Sequence, residues 1–561
     1  MPIIAPTVTR LKRLYTSLFN RAVHQIVVLY TTDVHGHLYP YDYIRGEESR
    51  VGLTRAATVI EQYRKQFPHL ILLDNGDFLQ GTPMTYYYNF IARETVHPVA
   101  RVMNALGYQA VSVGNHDIEQ GPGVYLRVRK QMRFPWLSAN ANRKPRGSYF
   151  QPYTIRDIEG IRIAILGMTT PAIPLWLEPE LYPGITWQDM LSSTRSWVDY
   201  LKTKKQADVI IGLFHAGIHP NAGQPGWPRD LPEENPCLQI AGQIPELDVI
   251  LAAHEHRLYN SHPEDDEHRS INKPLVIMAG SHARYIGVVQ LQLKKQDQHW
   301  QVIDKWGRLE RVAGQPAHPR ILQLLRPYHR EVLHYVSSII GHLKAPLTAR
   351  LSRLMDTPLL DFIHQMQMHF TDAPLSLAAS FDVHFQLKAG PIRIKDVYGV
   401  YKYENYLYVV EMTGAQFLQH LEWSTQYFNT VDPEHFIAED FINHHFMGFN
   451  FDTAEGVTYE INVTRPVGQR IQNLCLQSTG EPLRAEQRYR VAVNSYRAQQ
   501  LRQRYNCPVV WKSNKEIRDL MVEYIQSMGT IEPTCNHNWK IVPEWVIQRF
   551  IKQQLSTENV Q

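Results

Sequence analysis

Thiols are scarce in this chain. Four cysteines among 561 residues (Cys237, Cys475, Cys507 and Cys535) lie far apart with no Cys-x-x-Cys pair. That argues against a disulfide framework or a cysteine-built zinc knuckle and leaves room for one isolated bridge at most. Long apolar runs are missing too. No segment approaches the roughly 20 apolar residues of a membrane span, so no membrane partner is expected. The first 24 residues lack the uninterrupted stretch of about 7–15 apolar residues that a secretory signal needs. Leu11, Leu14 and Leu18 predict instead a short amphipathic helix packed on the body, and the expected location is the cytoplasm. Basic charge is thin: a net charge of +4 over this length shows no concentrated Lys/Arg surface, which disfavours a nucleic-acid partner. Internal repeats and low-complexity segments are absent.

What remains is the composition of a globular enzyme, 44% hydrophobic and 20% charged, too long for a single core. Residues 25 to about 312 alternate Val/Ile-rich strands with helical patterns such as Gly52–Gln66 and Pro98–Leu106, the rhythm of a layered α/β domain. Residues 1–24 form an N-terminal extension. A linker helix is expected within 313–345, with Pro327 kinking or breaking it. A second α/β domain follows over 346–550, then a tail, 551–561. The Pro/Gly-rich segment 217–236 reads as an active-site rim or an ordinary surface loop. The late histidines His444, His445 and His537 show no ligand spacing.

One pattern recurs along the first domain. The apolar run from Val27 ends at Asp33-Val34-His35, and Leu70–Leu73 runs into Asp74-Asn75-Gly76-Asp77. Ala110–Val113 runs into Gly114-Asn115-His116-Asp117; the next two strands end at His215 and at His254-Glu255-His256. Any one of these histidines alone reads as an ordinary packed or exposed residue. Five strand ends in order, each delivering O or N donors where open α/β sheets bind ligands, read as one binuclear metal site. Such donors suit Mn²⁺, Zn²⁺, Co²⁺ or Fe²⁺. Two ions about 3.5–4 Å apart need one ligand reaching both, and Asp77 is the central candidate. That chemistry hydrolyses phosphate esters. His116, beside Asn115, is placed to act as general acid, and Glu119 to orient it through the other ring nitrogen.

The blocks Thr32–His35, Asp74–Pro83, Gly114–Asp117 and His254–His256 resemble the calcineurin-like metallophosphoesterases. With Lys402–Leu407, Phe449–Asp452 and Val493–Ala498 they are most similar to the 5′-nucleotidase family, in its 2′,3′-cyclic-nucleotide 2′-phosphodiesterase/3′-nucleotidase branch. The resemblance implies a four-layer α/β/β/α domain, a helical linker and a C-terminal α/β domain that recognises the base. It implies one ion on Asp33, His35, Asp77 and His256, a second on Asp77, Asn115, His215 and His254, and base stacking by Tyr403 and Tyr496. Two departures stand out. The segment Leu377–His384 carries none of the phosphate-gripping arginines of related 5′-nucleotidases, and Gln499-Gln500 stands where the branch shows a glycine pair. The expected function is two-metal hydrolysis of nucleotide phosphoesters, cyclic or linear. A nuclease on the same sheet and a non-catalytic nucleotide binder are the alternatives.

Overall fold

The computed structural model describes residues 23–221, 232–266, 269–297, 299–401 and 404–558. The expected N-terminal helix, Tyr403 and the middle of the 217–236 loop lie outside them. The chain divides into two compact units, the first ending at Leu333 and the second starting at His334.

Two six-stranded sheets build the first unit. One runs in the order His299–Arg311, Tyr285–Gln296, Val23–Thr31, Ile71–Asp74, Ala110–Ser112, Trp136–Leu137, the last four parallel. The other runs Leu258–Asn260, Leu275–Ala279, Val249–Ala252, Val209–His215, Ile161–Thr169, Tyr153–Ile158, with the central four parallel. Strand periodicity explains the layering, because successive side chains point to opposite faces. Ile163, Ile165, Val209, Ile211 and Leu213 join Val28, Tyr30, Ile71 and Leu73 in a core shared by the two sheets. Their neighbours Ala164, Leu166 and Ile210 pack outward with Val198 and Leu201 of helix Met190–Thr203 and with Ile240. Both faces of these strands are therefore buried, which is why they read as continuous apolar runs. Tyr30 ties the layers together by donating its hydroxyl to Ile277 O at 2.8 Å.

The expected break at Pro327 does not occur. A single helix, Pro319–Ser337, carries the proline in its interior. Proline removes one backbone donor, but Ile321, Leu325 and Val332 on this helix are fully buried, and that packing outweighs the loss. Among the described residues no helix is long and apolar enough to cross a membrane.

The second unit centres on a five-stranded mixed sheet, ordered Asp452–Glu455, Leu375–Ala379, Arg488–Asn494, Tyr406–Thr413, Val509–Glu516. A core rich in Phe, Tyr and Trp packs on it, including Phe417, Phe428, Phe441 and Trp539. Strand Ile339–Leu343, inside the span expected as linker, already pairs with Gly390–Arg393 and Thr530–Ile531. Helix Glu544–Glu558 runs on into the expected tail. All four cysteines are free.

Candidate metal centre

Three parallel strands of the first sheet and two of the second deliver their polar residues at one edge of the first unit. Asp33, His35 and His256 bring one ligand atom each within 4.8 Å of one another, and so do Asp77, His215 and His254. Asn115 joins the second group, its Oδ1 lying 3.1 Å from His215 Nε2. Asp77 Oδ2 is 3.2 Å from the same nitrogen. His35 Nε2 and His256 Nε2 are 2.9 Å apart, with Asp33 Oδ1 3.5 Å from the latter. All seven ligand candidates from the sequence thus come together in two adjoining groups.

The backbone is bent hard to do this. Asp33, His35, Asp77, His254 and His256 all have φ between 47° and 74°, in the left-handed region. A non-glycine residue held there costs about 1–3 kcal/mol and persists only where surroundings over-determine it. Interlocking loops supply that constraint: Asp33 N–H donates to Gly76 O at 3.0 Å, His35 N–H to Asp77 O at 2.8 Å, and His282 N–H to Asp33 O at 2.7 Å. Gly114 has no freedom to carry a side chain, since a Cβ would meet Asp77 Oδ1 at 2.0 Å.

Several supporting residues escaped the sequence reading. Asp117 is fully buried, and its carboxylate accepts from the backbone N–H groups of Asp77, Phe78, Leu79 and Gly114 at 2.9–3.0 Å, shaping the whole Asp77 loop. Burial and the nearby Asp77 carboxylate push Asp117 up to about 7. Asn75 donates its amide to Phe214 O and Leu251 O, stitching the first sheet to the second. Glu234, at the described end of the 217–236 loop, accepts from His254 Nε2 at 2.8 Å. Glu255 accepts from the N–H groups of Ile218 and His219 and anchors the other end of that loop. His37 and His282 extend the histidine cluster, their rings 4.3 Å apart and that of His282 5.8 Å from His35. Burial drives both towards the neutral form, His37 to about 4 and His282 to about 2. Their one available signal was position, since each follows a strand end.

The donors fit divalent cations. His254 Nε2–H is committed to Glu234, so its Nδ1 offers a lone pair; that atom is buried and has no protein partner. Asp77 Oδ2 is likewise buried without a donor. His215 gives Nδ1–H to Asn75 O at 2.5 Å, turning Nε2 towards Asp77 and Asn115. A neutral His35 that donates Nδ1–H to Gln80 Oε1 (3.1 Å) presents Nε2 in the same way. This is the pattern of ligand histidines held in one tautomer by an outer partner. Burial raises the Asp77 carboxyl, but the imidazoles of His215, His116 and His35 outweigh it and hold the group well below the usual range. For Asp33, burial is likewise outweighed, by the His256 hydrogen bond and His215. Burial takes His35 down to about 4 despite Asp77. Anionic carboxylates and a neutral imidazole are the forms a cation binds; against burial, Asp77 pushes His215 up to about 9, so a cation bound there displaces a proton from that ring.

His116 stands beside this centre. Its ring centroid is 5.3 Å from that of His35, and its backbone N–H donates to Asp77 Oδ1 at 2.8 Å. Its Nδ1 lies 2.5 Å from Glu119 Oε2, one helical turn on in Asn115–Glu119. Of the two aromatic candidates in the second unit, Tyr403 is outside the described residues. Tyr496, at the start of helix Ser495–Tyr505, is 40% exposed and has the ring of Phe449 6.5 Å away.

Comparison with known proteins agrees with this architecture. The calcineurin-like phosphoesterase family model matches residues 26–258, and that of the 5′-nucleotidase C-terminal domain matches 339–505. The trifunctional nucleotide phosphoesterase protein YfkN of Bacillus subtilis is 29% identical over 92% of this chain, which spans only 39% of that longer protein. The 2′,3′-cyclic-nucleotide 2′-phosphodiesterase/3′-nucleotidase of Haemophilus influenzae is 28% identical over 92% of this chain and 87% of its own. A solved Staphylococcus aureus chain assigned as a 5′-nucleotidase shares the fold, with a TM-score of 0.77 at 24% identity over 92% of this chain and 100% of its own. Calcineurin-like phosphoesterases use divalent metal ions. With both domains matched in the expected order, the chain belongs to the calcineurin-like phosphoesterases that carry a 5′-nucleotidase C-terminal domain.

Proposed function

We propose that this chain hydrolyses nucleotide phosphoesters, acting on 2′,3′-cyclic nucleotides and on nucleoside monophosphates, with two divalent ions of the Mn, Zn, Co or Fe class. The observation that carries the proposal is the two adjoining ligand groups, Asp33/His35/His256 and Asp77/His215/His254, with the His116–Glu119 pair alongside. The activities named for the Bacillus and Haemophilus relatives support it.

Asp33, His35, Asp77 and His256 would hold one ion; Asp77, Asn115, His215 and His254 the other. Ions held there supply Lewis-acid polarisation of a phosphoryl group and a nucleophile at neutral pH. The chain's own part is proton management and positioning. Glu119 accepts the Nδ1–H of His116 and stabilises its imidazolium, leaving Nε2 to hand a proton to the departing ester oxygen. Glu234 and Asn75 fix the tautomers of His254 and His215 so that neither ring needs to turn during a cycle.

For the base, Tyr496 is assigned a stacking role with Phe449, the ring beside it; Tyr403 keeps the role that the resemblance gives it. Gln499 and Gln500 continue the helix that Tyr496 begins, and Gln500 Oε1 accepts from the buried Arg497. Arg353 donates to Ser380 O, which brings a guanidinium to the arginine-free 377–384 segment. The test is turnover of 2′,3′-cyclic nucleotides, 3′- and 5′-monophosphates and a baseless phosphodiester by metal-loaded protein. Stacking contributes about 1–3 kcal/mol per base, so Tyr496→Ala and Phe449→Ala should each raise nucleotide KM roughly 5- to 150-fold. The baseless ester should be unaffected. No turnover of any nucleotide with the ions bound would overturn the proposal.

A further inference from the structure

The second unit carries a cluster that the phosphoesterase reading does not use. Asp356, just ahead of helix Pro358–Thr371, meets Cys535 and His537, which lie on the loop between strands Thr530–Ile531 and Trp539–Val542. Cys535 Sγ is 3.4 Å from Asp356 Oδ2 and 3.5 Å from His537 Nδ1, and one ligand atom from each of the three lies within 4.8 Å of the others. Zinc bonds of about 2.3 Å to sulfur and 2.0–2.1 Å to oxygen or nitrogen, set tetrahedrally, give S···O and S···N edges of about 3.5 Å. The observed separations are those edges.

A second, independent feature points the same way. Asp361 is 2% exposed, its carboxylate lies against that of Asp356, and its Oδ1 has no hydrogen-bond partner. Its other oxygen accepts from Asn536 N–H at 2.9 Å. A third carboxylate, Glu455, accepts from the Asn536 amide nearby, also at 2.9 Å. Among the described residues no lysine or arginine pairs with Asp356, Asp361 or Glu455. Buried carboxylates gathered without a cation are expensive; burial and Asp356 push Asp361 up to about 7, and a divalent ion held by Asp356 would relieve the same repulsion. The loop is also pre-shaped: His537 has φ 53°, and Asn538 donates to Ala454 O and Val457 O beneath it.

We propose that Asp356, Cys535 and His537, with water as fourth donor, form a structural site for one Zn²⁺ ion (or Co²⁺ in its place), separate from the binuclear centre. Binding releases the Cys535 thiol proton to solvent and forms one Zn–S bond. A mixed S/N/O set selects zinc or cobalt over magnesium or calcium, and it joins Asp356 to the 532–538 loop 179 residues later.

The test uses the full chain, stripped with a chelator and reloaded with Zn²⁺ or Co²⁺. Wild-type protein should hold three equivalents, and Cys535→Ser should hold two while keeping phosphoesterase activity. Cobalt-loaded wild type should show a near-ultraviolet thiolate-to-cobalt charge-transfer band, because the binuclear ligands include no thiolate. That band should survive in Asp77→Asn, which disables the other centre, and vanish in Cys535→Ser. Asp356→Asn, which keeps the thiol and the side-chain volume, should weaken zinc retention against the chelator by about 10-fold or more. Absence of the band from wild type, or its persistence in Cys535→Ser, overturns the assignment. Failure of nucleotide turnover does not bear on it, because the band reports the thiolate alone.

Discussion

Two histidines, one in each unit, are held in opposite ways. His254 of the first unit sits at φ 74°, gives Nε2–H to Glu234, and keeps Nδ1 buried without a partner. His364 of the second unit lies inside the regular helix Pro358–Thr371, with Nδ1 2.9 Å from Ser376 Oγ and Nε2 3.1 Å from Thr453 Oγ1. One is strained and unfinished; the other is relaxed and complete. His364 satisfies both nitrogens within the protein, whereas His254 satisfies one and leaves the other facing the candidate centre.

The sharpest way to break the comparison is to remove what the unfinished nitrogens share. Asp77→Asn deletes the charge proposed to bridge the two ions, so both should be lost and turnover abolished. His364→Gln should leave metal content untouched. Metal analysis of the two purified variants checks this, and an Asp77→Asn protein still holding both ions tightly would show that Asp77 is not shared.

His116→Ala tests the next layer. General acid–base assistance contributes about 10²–10⁴-fold, and the lost turnover should fall in that range with the ions retained. Glu119→Gln should cost less, since it weakens orientation and leaves the ring in place. Esters with very good leaving groups need no proton and should lose little. Equal losses on nitrophenyl esters and nucleotides would make His116 a binding group instead.

How far the sequence foretold this arrangement follows from how each residue is held. Asp33, His35, Asp77, Asn115, His215, His254 and His256 were legible because each ends an apolar strand, and strand ends of parallel sheets converge. Glu234 was not, since nothing local in a Pro/Gly-rich loop says that its carboxylate meets a ring 20 residues on. Asp117 looked like part of a motif; its grip on four backbone N–H groups is a tertiary fact. The positive φ values of the candidate ligands leave no compositional trace, because they fall on Asp and His instead of Gly. His537 shows no ligand spacing in the sequence, because one of its companions, Asp356, comes from the far end of the unit and the other is Cys535 two residues away. In the second unit Phe449 lay in a quoted block, yet only the fold sets its ring beside Tyr496.

Glu234→Gln sharpens the contrast between the two histidines. Gln keeps the volume but replaces an anionic acceptor with a neutral one, which lowers the basicity of His254 Nδ1. Outer partners of ligand histidines typically matter by 10–100-fold in metal affinity. One ion should therefore be released at lower chelator concentration and the other held as before. Simultaneous release of both would mean that the two ions bind as one cooperative unit.

The smallest effect concerns the complete histidine. Burial pushes His364 down to about 3 from an ordinary 6.5, against a weaker upward pull from Asp452. Above pH 6.5 the ring is neutral in both folded and unfolded chains and contributes no pH dependence. As pH falls from 6.5 towards 3, the unfolded chain takes up a proton that the folded one refuses, so stability of the second unit declines. The slope approaches one proton, or about 1.4 kcal/mol per pH unit. Glutamine can satisfy the same two hydroxyls without titrating, so His364→Gln should remove that share of the acid sensitivity while leaving stability at pH 7 within about 1–2 kcal/mol. Denaturant unfolding of both proteins between pH 7 and 4 reads the difference directly. Parallel pH dependences would mean that the folded protein admits the proton, and that the Ser376–His364–Thr453 chain is open enough to reorganise around a charged ring.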